Sequence, residues 1–177
     1  MTFVADPHIT TRYDGTRSST DERVDPETLE RLYRKPLQPW VRGPNSTAAQ
    51  APQCSCGRST CGISAYGDLY PCIGAPLPAG NLREKSFTDI WSTSPVLNWI
   101  RSLQLDDFSV CKPCPHRIYC RRSSGAIYSN TGDYTGPEEW TCMEAEILHR
   151  LHDEGILKPN APISPEGAVQ RHSIGQN

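Results

Sequence analysis

The chain has 177 residues, a net charge of −2 and a mean hydropathy of −0.56, with 16 prolines and 13 glycines. This is room for one ordinary domain, but the chain is too polar and turn-rich for a large apolar core, so a staple such as metal or disulfides is expected. No global field favours nucleic acid or a membrane surface, and no apolar run approaches the roughly 18–20 residues of a membrane span.

The opening Met1-Thr2-Phe3-Val4-Ala5-Asp6 lacks the basic start and apolar core of a signal peptide, so the chain reads as cytoplasmic. Phe3-Val4 reads as the end of a strand and Asp14-Gly15 as a turn. Asp25-Pro26-Glu27 opens a helix: Asp25 caps, Pro26 suits the first position, and Leu29, Leu32 and Tyr33 follow at helical spacing. Pro36 ends it, and residues 36–53, with four prolines among polar residues, read as a linker. Residues 62–72 predict a hairpin turning at Tyr66-Gly67-Asp68. Ser86-Phe87-Thr88-Asp89 has the form of a capping box, opening a short helix with Phe87, Ile90 and Trp91 on one face. Ser94-Pro95 opens another, with Val96, Ile100 and Leu103 in phase. Cys111 to Cys120 reads as Pro-broken loop with one turn. A last helix is expected over about 137–152, with Met143, Ile147 and Leu151 sharing a face, followed by a disordered tail over 153–177.

All eight cysteines lie between positions 54 and 142, as Cys54, Cys56, Cys61 and Cys72, then Cys111, Cys114, Cys120 and Cys142. In a reducing compartment such clustering favours metal thiolates over disulfides. The spacing Cys111-x2-Cys114-x5-Cys120, with Cys142 on the last helix, fits four thiolates closing around an iron–sulfur cube; a structural zinc site is the alternative from the same residues.

The chain resembles the SPASM domain of radical SAM enzymes over roughly residues 54–148. The resemblance rests on Cys54-x12-Gly67-x4-Cys72, on Cys111-x2-Cys114-x5-Cys120 and on Cys142. Surrounding words match too: Gly67-Asp68-Leu69-Tyr70-Pro71-Cys72, Gly80-Asn81-Leu82, Ser86-Phe87 with Ile90-Trp91, and Thr131-Gly132-Asp133. More loosely, residues 1–35 resemble the end of a radical SAM barrel. The resemblance implies an α+β iron–sulfur domain at 54–152, preceded by a barrel remnant at 1–35. It also implies two 4Fe–4S clusters that relay electrons and help place a substrate, in an enzyme modifying a ribosomal peptide or protein.

The second cluster would take Cys111, Cys114, Cys120 and Cys142. The first would take Cys54 and Cys72, with Cys61 as third ligand. The family expects a cysteine four residues after Cys120, where this chain has Ser124, so Cys56 or Ser124 becomes the fourth ligand or the site stays open. No C-x3-C-x2-C, the motif that holds the S-adenosylmethionine-cleaving cluster, occurs in the chain. It is therefore not expected to generate the radical alone. It reads as part of a longer enzyme, or as a stand-alone electron-transfer or binding module whose partner is a separate radical SAM core.

The bland readings complete the set. His116 is expected as a loop histidine at polar surface, and His149 and His152 on the solvated side of the last helix. Arg117, Arg121 and Arg122 either offset cluster charge or face solvent. Trp91, Trp99 and Trp140 are expected in the core. Asp6, His8 and Asp14 are expected in polar loops rather than a substrate cleft.

Overall fold

The computed structural model describes residues 7–12, 19–35, 44 and 54–157. The expected strand end at Phe3-Val4, the turn at Asp14-Gly15, Asp6, nearly all of the 36–53 linker and the tail from residue 158 lie outside the described residues.

Helix α1, Pro26–Tyr33, begins where Asp25 accepts a hydrogen bond from the Thr28 N–H at 2.8 Å. The hairpin forms between β1, Gly62–Ile63, and β2, Asp68–Tyr70, antiparallel, with Gly62 opposite Tyr70. Gly67 turns the chain at φ +90°, and a Cβ there would meet Asn81 Oδ1 at 3.1 Å. That asparagine belongs to a third strand the sequence did not announce, β3, Gly80–Asn81, which pairs antiparallel with β2. Two-residue strands carry too little alternation to be read. Asn81 donates to Asp68 Oδ1 at 2.8 Å and to the Tyr66 carbonyl at 3.2 Å, tying the strand to the turn.

Helix α2, Phe87–Thr93, starts at Ser86, whose hydroxyl accepts from the Asp89 N–H at 3.1 Å. Helix α3, Pro95–Ser102, buries Leu97 and Ile100. Helix α4, Ser124–Thr131, was not expected; it ends on Gly132 in the left-handed region at φ 78°. Helix α5, Glu139–Asp153, is capped by Glu138, which accepts from the Thr141 N–H at 2.9 Å. After it Gly155 reverses the chain and Leu157 tucks back beneath the helix, 7 % exposed.

Among the described residues the core is three small clusters rather than one. Leu29 and Tyr33 of α1 pack with Tyr119, Trp140, Ile147, Leu148, Leu151 and Leu157. Ile100, Leu103, Phe108 and Tyr134 form a second, and Leu69, Ile90 and Leu97 a third. So divided a core fits a polar chain that relies on a bound group for cohesion.

Three expectations need correction. Trp99 is not core: it is 43 % exposed and meets the Tyr134 ring edge-on, because α3 turns Leu97 and Ile100 inward instead. His149 and His152 are not simply solvated, because a 3-10 turn at Arg117–Tyr119 packs onto their side of α5. Tyr119 stacks on His149 at 4.4 Å, and its hydroxyl lies 2.9 Å from His152 Nδ1. His116 joins them, its Nδ1 2.9 Å from His149 Nδ1. Among the described residues no helix is long and apolar enough to cross a membrane.

Candidate iron–sulfur site

The second thiol set surrounds one cavity. Cys111, Cys114, Cys120 and Cys142 all line a space of about 330 Å³, with Phe108, His116, Arg122 and Met143 among its other walls. Three of the thiols come from the loop between α3 and α4. Its 3-10 turn at Arg117–Tyr119 is closed by the Cys120 N–H to the Arg117 carbonyl at 3.1 Å, and it packs on α5, which brings Cys142. Burial pushes the Cys120 thiol up to about 12, with the neighbouring Cys142 and Cys111 adding to the rise against a partial offset from Arg122. Burial also raises Cys142, with Cys111 and Cys114 pushing the same way. Four thiols facing one cavity, two of them held back from ionising, are a donor set that a cationic iron centre would stabilise as thiolates.

Arg122 closes the inner wall. It is 8 % exposed, and its Nη1 lies 3.5 Å from Cys111 Sγ. It donates from Nη1 to the Gly136 carbonyl at 2.7 Å and from Nη2 to the Tyr134 carbonyl at 2.5 Å. Of the two readings the sequence left open for Arg122, facing solvent is excluded and charge compensation at the thiols fits.

The first thiol set is more compact. The Cys54 and Cys56 sulfurs lie 3.0 Å apart. Gly57, at φ +64°, lets this loop double back beneath α3, donating to the Pro71 carbonyl at 2.8 Å. Arg101 donates to the Gly57 carbonyl at 2.8 Å, and Arg58 donates to the Ile100 and Leu103 carbonyls, each at 3.0 Å, satisfying the open end of α3. Cys72 accepts from the Gly74 N–H at 3.3 Å.

The three sulfurs act on one another. The hydrogen bond from Cys56 holds Cys54 well below the usual thiol range, aided by the N–H groups of Cys56, Ser124 and Gly125. The same Cys56 thiol lowers Cys72, and Cys56 itself is driven up as donor to both. The start of α4 thus turns backbone N–H groups toward Cys54. Gly125 permits the approach: a Cβ there would stand 2.7 Å from the Ala75 Cβ.

Beside this trio stands Tyr134, 4 % exposed, whose enclosed hydroxyl makes no well-formed hydrogen bond although the Cys56 thiol is within reach. A poorly met buried hydroxyl next to three thiols fits a site meant to hold a charged acceptor. Both sets therefore suit an iron–sulfur group. Such a group, when bound, supplies reversible one-electron chemistry.

The remaining sequence candidates fall as follows. Cys61 packs against the Leu69, Ile90 and Leu97 cluster. Ser124 is fully buried at the start of α4, and its hydroxyl accepts from Arg122 Nε at 3.0 Å. His8 is not a loop histidine at large: its Nε2 lies 3.0 Å from Glu144 and its ring meets the Trp140 edge. Glu144, Tyr134 and the burial of Arg122 were missed. Tyr134 directly follows the Thr131-Gly132-Asp133 word, the one signal that marked its neighbourhood.

Residues 54–115 match the SPASM family, an iron–sulfur cluster-binding domain. The match takes in Cys54, Cys56, Cys61, Cys72, Cys111 and Cys114. Two curated relatives are similar to this chain. The AdoMet-dependent heme synthase of Methanosarcina barkeri is 31% identical over 87 residues, 49% of this chain and 25% of the relative. The AdoMet-dependent heme synthase of Nitratidesulfovibrio vulgaris is 31% identical over 85 residues, 48% of this chain and 23% of the relative. The aligned stretch spans about a quarter of each relative's length. No solved structure matches the chain.

Proposed function

We propose that this chain carries the auxiliary iron–sulfur centres of a radical SAM enzyme, two 4Fe–4S clusters that exchange electrons with the reaction and border the substrate. The observation that carries the reading is the convergence of Cys111, Cys114, Cys120 and Cys142 on one cavity, joined from a loop and a helix far apart in sequence. Cys54, Cys56 and Cys72 form the nucleus of the other centre. The SPASM match and the S-adenosylmethionine dependence in the relatives' names support the placement in this enzyme class.

The radical would start on a core carrying C-x3-C-x2-C, either in the same longer protein or in a partner, with residues 1–35 as the end of its barrel. For the substrate, the relatives' names favour a tetrapyrrole on the way to heme over the ribosomal peptide or protein expected from the sequence. A second cavity, of about 510 Å³, lies between Thr11, Arg23, Asn130 and Trp140. It shares Glu139 and Met143 with the thiol-lined cavity, which would set a bound substrate beside the second centre.

Anaerobic reconstitution with iron and sulfide tests the reading. Uptake of iron and sulfide in equal amounts, with the broad visible absorption of a cluster, is the expected outcome. Stoichiometric zinc with no iron uptake would leave a structural zinc domain instead.

A further inference from the structure

We infer that Tyr134 donates a hydrogen bond to the iron–sulfur group held by Cys54, Cys56 and Cys72, and so sets that centre's reduction potential apart from the other's. The inference rests on the proposed function above and adds a residue to it.

Tyr134 is held on every side but one. Its ring packs with Ile100, Leu103 and Phe108, and Trp99 meets its edge at 5.2 Å. Its carbonyl is fixed by Arg122. The hydroxyl cannot swing to water, and it makes no well-formed hydrogen bond in the protein, although the Cys56 thiol stands within reach of it. Leaving such a donor poorly met is unfavourable, and phenylalanine at this position would avoid it. The hydroxyl is therefore explained by an acceptor that belongs in the site.

The surroundings say which acceptor. The hydroxyl stands beside the sulfurs of Cys54, Cys56 and Cys72, with Cys56 within reach. An anionic thiolate-bound cluster at those sulfurs presents a stronger acceptor than a thiol. Ser124, the other hydroxyl of this corner, is engaged by Arg122. A hydrogen bond to cluster sulfur draws off negative charge, favours the reduced state and raises the potential. The second centre has Arg122 in the corresponding position, against Cys111. The two centres thus carry different donors, one neutral and one cationic.

The test compares the reconstituted full-length chain with its Tyr134→Phe variant, in iron content and in redox titration followed by electron paramagnetic resonance. Cys56→Ala identifies which signal belongs to the first centre. The expected variant retains wild-type iron, its first-centre potential moves to a more negative value, and its second-centre potential is unmoved. An exchangeable proton coupled to the reduced first centre, seen by comparing H2O with D2O, should vanish with the hydroxyl. Trp99→Leu, which disturbs the ring's packing but keeps the hydroxyl, should leave potential and proton coupling intact. Unchanged potentials in a fully loaded Tyr134→Phe chain would overturn the inference. Loss of first-centre iron in that variant would overturn it too, by making Tyr134 a ligand. If the wild type itself takes no iron at the first centre, the functional reading fails instead.

Discussion

Arg122 donates from Nε to the Ser124 hydroxyl at 3.0 Å, with both side chains buried. The same guanidinium reaches Cys111 and lies 4.9 Å from the centre of the Phe108 ring. One cation thus joins the start of α4, which faces Cys54 and Cys72, to the second thiol set. The Ser124 oxygen is already an acceptor in this arrangement, so serving as a metal ligand would mean giving up or sharing its bond to Arg122.

Replacing Arg122 with Gln should be felt at both centres. It leaves the Tyr134 and Gly136 carbonyls and the Ser124 hydroxyl short of donors, a loss of about 1–3 kcal/mol for each left unsatisfied. The denaturant midpoint of the loaded protein should fall clearly, and second-centre iron should be lost faster to a chelator than in wild type. Equal midpoints and equal chelator kinetics would show that Arg122 links nothing.

Gly125→Ala tests how closely α4 must approach the first thiol set. The added methyl would collide with the Cβ and backbone of Ala75, three residues beyond Cys72. Overpacking of this kind costs about 1–3 kcal/mol. First-centre iron should drop while second-centre iron holds, as read by total iron and by the two resonance signals.

Tyr33→Phe probes the attachment of α1 to α5. The Tyr33 hydroxyl donates to Glu144, which is wholly buried and also faces His8 and, at 3.8 Å, Arg121. Losing that donor should destabilise the chain by about 1–3 kcal/mol. Cluster content should be unaffected, since Cys142 points from α5 into the thiol-lined cavity while Glu144 turns toward α1.

What the sequence revealed follows from how local each signal is. Asp25 and Ser86 cap the helices expected of them, because capping needs only residues within one turn. Gly67 marked its turn for the same reason. Helix α4 was illegible: Ser124, Gly125, Ser129, Asn130 and Thr131 are weak helix formers with no apolar period. Tertiary contacts hold it, through Gly125 against Ala75, Ile127 in the core, and Ser129 donating to the Gly74 carbonyl at 3.1 Å. Glu144 was illegible because a carboxylate on a helix reads as solvated until Tyr33, from the far end of the chain, is seen to meet it. At the site, spacing grouped Cys111, Cys114, Cys120 and Cys142, and all four line one cavity. Spacing gave no sign that the Cys54 sulfur lies against Cys56, since two residues apart in a loop can point anywhere.

The proposed second centre needs Cys142 to complete it, so iron per chain after anaerobic reconstitution of wild type and Cys142→Ala is its most direct test. Two complete 4Fe–4S centres predict about eight irons in the wild type and about four in the variant, with the first-centre signal preserved. Full wild-type iron in Cys142→Ala, with both signals present, would contradict the ligand set and the account built on it.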